Sequence, residues 1–387
     1  MKTDFSISAV VAGFVAVLVG FASSVAIVFQ AAAAAGANQA EIASWVAILG
    51  LTMGVTCIGF SWYYRAPVLT AWSTPGAALL ATSLQGISLA EAVGVFIFSA
   101  ALTTALGLSG WFDKLAAKIP LPIASAMLAG ILLQFGLKVF SNIAVAPLLV
   151  LGMIVVFLLV RRWWPRYAIP LVLMSGVAMA LWSGQLDLSA VQWQWLQLVW
   201  VAPEWSWQAL LGVGVPLFIV TMTSQNVPGL AVLRTAGYQV PVSPLLSWSG
   251  ALTMLTAPFG NFSLNLAAIT AAICSGPEAA ADPAKRYTAA MAAGGFYLMT
   301  GIAGASVVAM FAALPPALVA TVAGLALIST IATNLATATA DLRHRDAAVM
   351  TLLVTASGVS FFGIAAAFWG LLAGLLVDAL TRWRLSG

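Results

Sequence analysis

An all-α, polytopic membrane protein is the fold class this sequence predicts, and three observations predict it. Charge is scarce: 387 residues carry 15 Lys and Arg and 11 Asp and Glu. Charge is also unevenly placed, with none between Val10 and Ala40 and none between Arg234 and Glu278. Mean hydropathy over the whole length is +1.05, which leaves too little polar surface to face water.

A spanning helix needs about 20 apolar residues. With Pro, Gly and charge as punctuation, hydropathy divides the chain into fourteen segments. The first four are 8–34, 42–62, 66–84 and 89–108. Lys2 and Asp4 precede an apolar run longer than a signal-peptide core, so segment 1 reads as a retained helix. Segments 5–7 are 120–138, 144–160 and 167–184, followed by Trp193, Trp195, Trp200, Trp205 and Trp207. A tryptophan-rich stretch of that kind suits the outer membrane interface. Segments 8–11 are 207–229, 243–258, 260–274 and 287–313, and segments 12–14 are 316–338, 347–363 and 365–380.

Alternating these segments from a cytoplasmic N-terminus puts fourteen of the fifteen Lys and Arg inside and only Lys138 outside. That is the positive-inside pattern, and one miscounted span would scramble it. Both termini are therefore expected in the cytoplasm. The net charge of +4 is accounted for by this topology and calls for no nucleic-acid partner. Seven segments precede residue 206 and seven follow it, so a repeated half would be inverted across the membrane. Ser24 to Gly36 and Gln225 to Gly237 both end in Ala-Gly twelve residues on, a weak internal echo.

Segments 3 and 10 read as a short strand plus a half-helix. In segment 3, an extended Ala66-Pro67-Val68-Leu69-Thr70-Ala71-Trp72 leads to Ser73-Thr74-Pro75-Gly76 and a helix from Ala77. Thr74 before Pro75 makes a helix start near mid-membrane depth. In segment 10, Thr256-Ala257-Pro258-Phe259-Gly260-Asn261-Phe262-Ser263 offers Asn261 or Ser263 as the cap of a helix through Ile273. Short, Pro/Gly-interrupted segments in corresponding halves point to the binding site of a secondary transporter. Half-helix N-termini would present free N–H groups to a small anion or to the carbonyls of a neutral polar ligand.

Segment 8 adds Thr221, Thr223, Ser224, Gln225 and Asn226 within about a turn and a half, and segment 1 adds Ser23 and Ser24. So many polar groups in a spanning helix imply a cavity or a neighbouring helix. No Asp, Glu, Lys, Arg or His falls at mid-depth in any segment, which suits a neutral cradle for an anion. Gly50/Gly54 and Gly370/Gly374 have the spacing of close helix packing. His344, in Asp341-Leu-Arg-His-Arg-Asp346, reads as a solvated loop residue.

Other chemistry is excluded by what the sequence lacks. Cys57 and Cys274 lie far apart in apolar runs, one histidine cannot build a metal site, and no phosphate-binding G-x-x-x-x-G-K-[ST] loop occurs. No cofactor, metal or catalytic dyad is expected, and an enzyme is disfavoured. A channel is the remaining alternative of another class, and saturable uptake with counterflow would exclude it.

Several stretches together resemble a known family. They are Phe29-Gln30-Ala-Ala-Ala-Ala-Ala-Gly36, Thr74-Pro75-Gly76-Ala77-Ala78-Leu79, Gly260-Asn261-Phe262-Ser263-Leu264-Asn265-Leu266-Ala267-Ala268-Ile269-Thr270, and Cys274-Ser275-Gly276-Pro277-Glu278. The chain is similar over nearly its whole length to bacterial benzoate:proton symporters of the BenE type. The resemblance implies the wider nucleobase and inorganic-anion transporter fold, with seven plus seven inverted segments. It implies a core domain (1–110 and 206–313) moving against a gate domain (111–205 and 314–387) in an elevator-like motion. A bacterial inner-membrane location and a homodimer through the gate domain go with it. Where related nucleobase transporters place carboxylates on segments 8 and 10, this chain has the neutral Gln225 and Asn261. That departure favours an anionic aromatic acid over a nucleobase.

The expected function is import of benzoate or a related aromatic carboxylate with a proton. The alternative is a nucleobase or inorganic-anion transporter of the same fold. The carboxylate would lie at the helix starts near Thr74, Pro75 and Gly76 and near Gly260, Asn261 and Ser263. Phe262, Trp72 and Phe259 would wall the ring, and Gln225 and Ser24 would close the polar side. Charge-assisted bonds of this kind contribute about 1.5–3 kcal/mol each, enough together to offset part of the cost of burying the anion.

Overall fold

The computed structural model describes residues 5–84, 86–112, 120–186, 196, 198–359 and 366–385. Lys2, Asp4, Lys114, Lys118, Trp193 and Trp195 lie outside the described residues, as do the side chains of Ser23, Thr223, Arg166, Arg382 and Arg384.

Local chemistry sets where the helices begin and end. Helix α1 (Ile7–Ala34) starts where the Ser6 hydroxyl accepts from the Ala9 N–H at 3.2 Å, and the chain turns at Gly36, φ 78°. Asn38 and Glu41 form a reciprocal capping box for α2 (Gln39–Tyr64), and Ser88 and Glu91 do the same for α4 (Leu89–Ser109). Arg65 ends α2 in the left-handed region, and its guanidinium donates to the Tyr287 hydroxyl at 2.5 Å. Between these lie strand β1 (Thr70–Ala71) and the ten-residue α3 (Thr74–Ser83).

Prolines open α5 (Leu121–Ser141) and α6 (Pro147–Trp163), where a missing N–H costs nothing. Helix α7 (Ala168–Trp182) follows. The long α8 (Trp207–Thr235) contains two π-turns, Leu210–Gly214 and Met222–Asn226. After α9 (Val242–Thr256) come strand β2 (Asn265–Leu266) and the seven-residue α10 (Ile269–Ser275). Helix α11 (Tyr287–Ala313) is kinked at Gly304. Helices α12 (Pro316–Ala340), α13 (Arg345–Ser357) and α14 (Ala366–Leu385) complete the described chain.

These helices fall on the apolar segments read from the sequence, with ends shifted by up to about six residues except at α3 and α10, which start about eight and nine residues into segments 3 and 10. Among the described residues, α2, α4, α8 and α12 are long and apolar enough to cross a membrane. Shorter apolar stretches occupy Ile7–Phe21, Leu171–Trp182 and Trp369–Thr381.

The only strands among the described residues are β1 and β2, one from each broken segment. They pair antiparallel, Thr70 opposite Leu266 and Ala71 opposite Asn265. Backbone groups freed by a broken helix cannot be satisfied by lipid, and here the two breaks satisfy each other. The Ala267 N–H extends the pairing by donating to Leu69 O at 2.9 Å. The Ser61 hydroxyl takes up Val68 O at 2.9 Å.

Glycine surfaces bring the helices around this pair together. Helix α2 lies on α11 where Gly50 and Gly54 face Gly301 and Gly294; a Cβ on Gly50 would come within 2.8 Å of Gly301 Cα. Gly370 and Gly374 of α14 lie against Thr355 and Thr351 of α13 in the same way. Helix α4 packs on α9, and α1 packs on α3, α10 and α11. Helices α5, α12, α13 and α14 pack among themselves, and α6 packs on α7. The two sets meet where the end of α8 touches α5 and where α1 touches α12.

Candidate functional site

The start of α3 is the best-formed polar feature at the crossed strands. Its N-cap is Ser73, whose Oγ accepts the Gly76 N–H at 2.9 Å. This corrects the expectation of a cap at Thr74. Thr74 and Pro75 occupy the first helical turn instead, because Ser73 is the last residue with extended backbone. The Ser73 N–H itself donates to Ser263 Oγ at 3.3 Å, tying α3 to the opposite strand segment. Gly76 is buried; a Cβ there would stand 3.1 Å from Leu217 of α8.

The second break is organised differently from its sequence reading. Neither Asn261 nor Ser263 caps a helix, because no helix begins before α10 at Ile269, which has no side-chain cap. Gly260, at φ 100°, turns the chain beneath the Trp45 indole, which a Cβ would strike. Asn261 is fully buried, and its Nδ2 donates to Thr256 Oγ1 at 2.8 Å and Thr52 Oγ1 at 3.3 Å. Those threonines give their own protons to Leu252 O and Ile48 O, so they present lone pairs and fix the amide's orientation. Asn261 Oδ1 is buried without a hydrogen-bond partner among the described residues.

Asn226 and Asn265 were not singled out as site residues from the sequence, yet they hold the crossing together. Asn226 Nδ2 donates to Asn265 Oδ1 at 3.1 Å, and Asn226 Oδ1 accepts the Leu266 N–H at 2.9 Å. Asn265 Nδ2 continues to Ser263 Oγ at 3.0 Å. The polar run Thr221–Asn226 was the available signal for Asn226. Its π-turn, which aims Asn226 at β2, has no sequence signature.

The aromatic residues divide into three groups. Trp72 donates its indole N–H to Ser24 Oγ at 2.8 Å and meets Phe21 edge-to-face at 4.8 Å. Ser24 passes its own proton to Gly20 O at 2.8 Å. Phe262 is buried between Trp45 and Phe96, at 6.1 and 6.3 Å between centroids. Phe259 lies apart, against Trp200 at 5.3 Å.

Gln225 is half-buried in the π-turn and makes no hydrogen bond among the described residues. The same turn contacts β2 and α14. The structure therefore brings Ser73, Gly76, Ser263, Trp72 and Ser24 together around the crossing, with Gln225 one residue from its Asn226 anchor. None of these side chains is ionisable. Among the described residues, no His, Cys, Asp and Glu grouping could hold a metal.

His344 departs from its solvated-loop reading. Its Nδ1 lies 2.8 Å from Asp341 and its Nε2 lies 3.5 Å from Asp378 of α14, a carboxylate that is mostly buried. The Asp341 carboxyl is held below its ordinary range by the Arg343 N–H and then by His344.

Comparison with known proteins matches this chain, over residues 3–380, to a family model described as benzoate membrane transport protein. It is 48% identical to the inner membrane protein YdcO of Escherichia coli K12 over 94% of this chain and 93% of that one. It is 40% identical to the benzoate membrane transport protein of Acinetobacter baylyi over 97% and 95%. Among solved structures, it is similar to SLC26A9 at a TM-score of 0.57 and 13% identity, covering 99% of this chain and 66% of that one. The transmembrane domain of the cyanobacterial bicarbonate transporter BicA matches at 0.50 and 14%, covering 97% and 96%. These likenesses establish the helical transporter fold, and the family match, end to end with the curated relatives, goes further: the chain belongs to the benzoate membrane transport protein family, a family of membrane transporters and not of enzymes.

Proposed function

We propose that this protein imports benzoate or a close aromatic carboxylate together with a proton, by elevator-type alternating access. The observation that carries the reading is the start of α3, a helix N-terminus capped by Ser73 at a break in an apolar segment; Gln225, which makes no hydrogen bond among the described residues, lies on the π-turn that contacts β2. A carboxylate gains there from backbone N–H groups and from the positive end of the helix dipole. A fixed Asp or Glu would repel it. Helix α10 has only seven residues, so its dipole adds less, and the α3 end dominates.

The substrate site comprises Ser24, Trp72, Thr74, Pro75, Gly76 and Gln225, with Gly260, Asn261, Phe262 and Ser263 behind it. Trp72 supplies an apolar face. Phe262, closed in by Trp45 and Phe96, shapes the wall from behind. Asn261, with both amide protons committed to threonines, braces the extended segment and does not donate to substrate.

Residues 1–110 and 206–313 form the moving core and 111–205 and 314–387 the gate. The reading is supported by α1 packing on α3, α10 and α11 and by α5, α12, α13 and α14 packing on each other. Fourteen spans in two inverted halves are supported by the paired breaks and by glycines in the left-handed region just after α1 and α8, Gly36 and Gly237. The protein lies in the bacterial inner membrane with both termini cytoplasmic and dimerises through the gate. Its two named relatives, an inner membrane protein and a benzoate transport protein, support the location and the substrate.

Competition tests the substrate. Excess unlabelled benzoate should abolish labelled benzoate uptake, and uracil, sulfate and bicarbonate should leave it unchanged. Inhibition by sulfate or uracil at equal concentration would move the assignment to an inorganic anion or a nucleobase on the same fold.

A further inference from the structure

The end of the connection from α7 to α8 is fastened down along its length. Residues 198–206 have no regular secondary structure, so their backbone groups need partners elsewhere. Three of them find partners on three different elements. The Val199 N–H donates to Ser44 Oγ at 3.0 Å, the Val201 N–H to Pro258 O at 2.9 Å, and the Glu204 N–H to Ala90 O at 2.9 Å. Ser44 lies in the second turn of α2, Ala90 at the start of α4, and Pro258 just before the Gly260 turn.

Close packing adds to these bonds. Glu204 lies so near α4 that a Cβ on Gly94 would strike its carbonyl oxygen. The Trp200 ring meets Phe259 edge-to-face at 5.3 Å. Ser206 then caps α8, its Oγ accepting the Ala209 N–H at 3.4 Å, so the stretch runs directly into that helix. Among the described residues, none of its hydrogen bonds reaches α5, α6, α7, α12, α13 or α14.

Ser44 joins this stretch to the substrate segment. Its buried hydroxyl accepts from Val199 and donates to Phe259 O at 2.9 Å. One proton and one lone pair thus hold two separate pieces of chain against α2. Phe259 immediately precedes Gly260, and three residues further on Ser263 Oγ accepts the Ser73 N–H at the start of α3. The bond from Ser44 therefore sets where the extended segment enters the cradle.

We propose that residues 199–206 are a fixed strap of the core, travelling with it as one body, and that Ser44 is a positioning residue for the substrate segment. The family resemblance implies a gate that reaches residue 205; the strap moves the start of the core from 206 to 199. Peeling the strap away in each transport cycle would break three hydrogen bonds and the Trp200–Phe259 contact together. Moving as one body avoids that cost, and any bending between the domains then falls outside the strap. Its role in transport rests on the elevator and benzoate readings; the attachment itself does not.

Bridging the strap to α4 tests whether it moves with the core. Ala90→Cys and Glu204→Cys together are joined by oxidation or by a short bis-methanethiosulfonate, with the wild type as control because Cys57 and Cys274 are buried. Bridged protein should take up benzoate as fast as the reduced protein. Uptake that stops on bridging and returns with reductant would overturn the proposal. Hydrogen exchange reads the attachment without any substrate: the Val199, Val201 and Glu204 amides should be as protected as helical ones, and Ser44→Ala should release Val199. Free exchange of all three amides in the wild type would overturn the strap by itself. Ser44→Ala should also raise the benzoate KM about fivefold with the maximal rate unchanged, the size of one lost hydrogen bond. An unchanged KM would remove Ser44 from its positioning role. If the wild type takes up no benzoate while the three amides stay protected, the substrate reading fails and the strap stands.

Discussion

Asn226 of α8 grips β2 with both ends of its carboxamide, donating to Asn265 Oδ1 at 3.1 Å and accepting the Leu266 N–H at 2.9 Å. One fully buried side chain thus connects the polar π-turn that carries Gln225 to the strand that crosses β1. A helix break in a membrane needs such a partner, since each orphaned backbone group costs several kcal/mol in hydrocarbon.

Replacing Asn226 by Leu should therefore orphan the Leu266 N–H and Asn265 Oδ1 together. The expected loss is about 1–3 kcal/mol for each buried group left without a partner, seen as a lower Tm. Asn226→Asp keeps an acceptor for Leu266 but faces Asn265 Oδ1 with a second acceptor and buries a charge, so it should be at least as damaging. A Tm unchanged in Asn226→Leu would mean that the two contacts contribute nothing.

Ser24 and Trp72 should behave as one unit. Ser24→Ala leaves the buried indole N–H without an acceptor, at a cost of about 1–3 kcal/mol. Once Trp72→Phe has removed that N–H, the same serine change should cost much less. A double-mutant cycle on Tm and on benzoate KM reads the coupling, and additive effects would show that the 2.8 Å bond does not act.

Gly260→Ala should destabilise the protein by at least about 1 kcal/mol. The residue sits at φ 100° and its Cβ would strike Trp45. Shrinking the neighbour with Trp45→Phe should not restore stability, because the backbone conformation stays unfavourable. Full rescue in the double variant would place the whole effect in the steric clash.

Asn261→Asp should lower both benzoate uptake and Tm. The carboxylate adds a negative charge behind the cradle, and it cannot donate to Thr52 and Thr256 as the amide does. Thr52→Val separates the two causes: it weakens the brace without adding charge, so it should lower Tm with a smaller loss of uptake. Unchanged uptake in Asn261→Asp would remove Asn261 from the neighbourhood of the substrate.

Much of this architecture was legible in the sequence because the bilayer constrains it. Long apolar runs with charge only between them gave helix ends within a turn or two, as at Leu89–Ser109 and Tyr287–Ala313. The Pro/Gly break of segment 3 located β1, whereas β2 falls where a helix through Ile273 was expected. Cap assignments did not transfer, because they depend on which residue leaves the extended region first. At α3 that residue is Ser73, one before the threonine that precedes Pro75, and at α10 the chain runs extended through Ala267. The partners of a side chain were not legible either. Gln225 and Asn226 are adjacent and equally polar, yet Asn226 reaches β2 while Gln225 makes no hydrogen bond among the described residues. His344 was read from its loop, whereas its burial comes from Asp378 on a helix 34 residues away.

The most direct test of the central claim is uptake of labelled benzoate into proteoliposomes, with and without an imposed inward proton gradient. Protein-free liposomes are subtracted, since benzoic acid crosses lipid unaided. The account predicts saturable accumulation above that background, stimulated by the gradient and lost when Gln225 and Ser73 are replaced together. Folded protein that takes up no benzoate above background would contradict it.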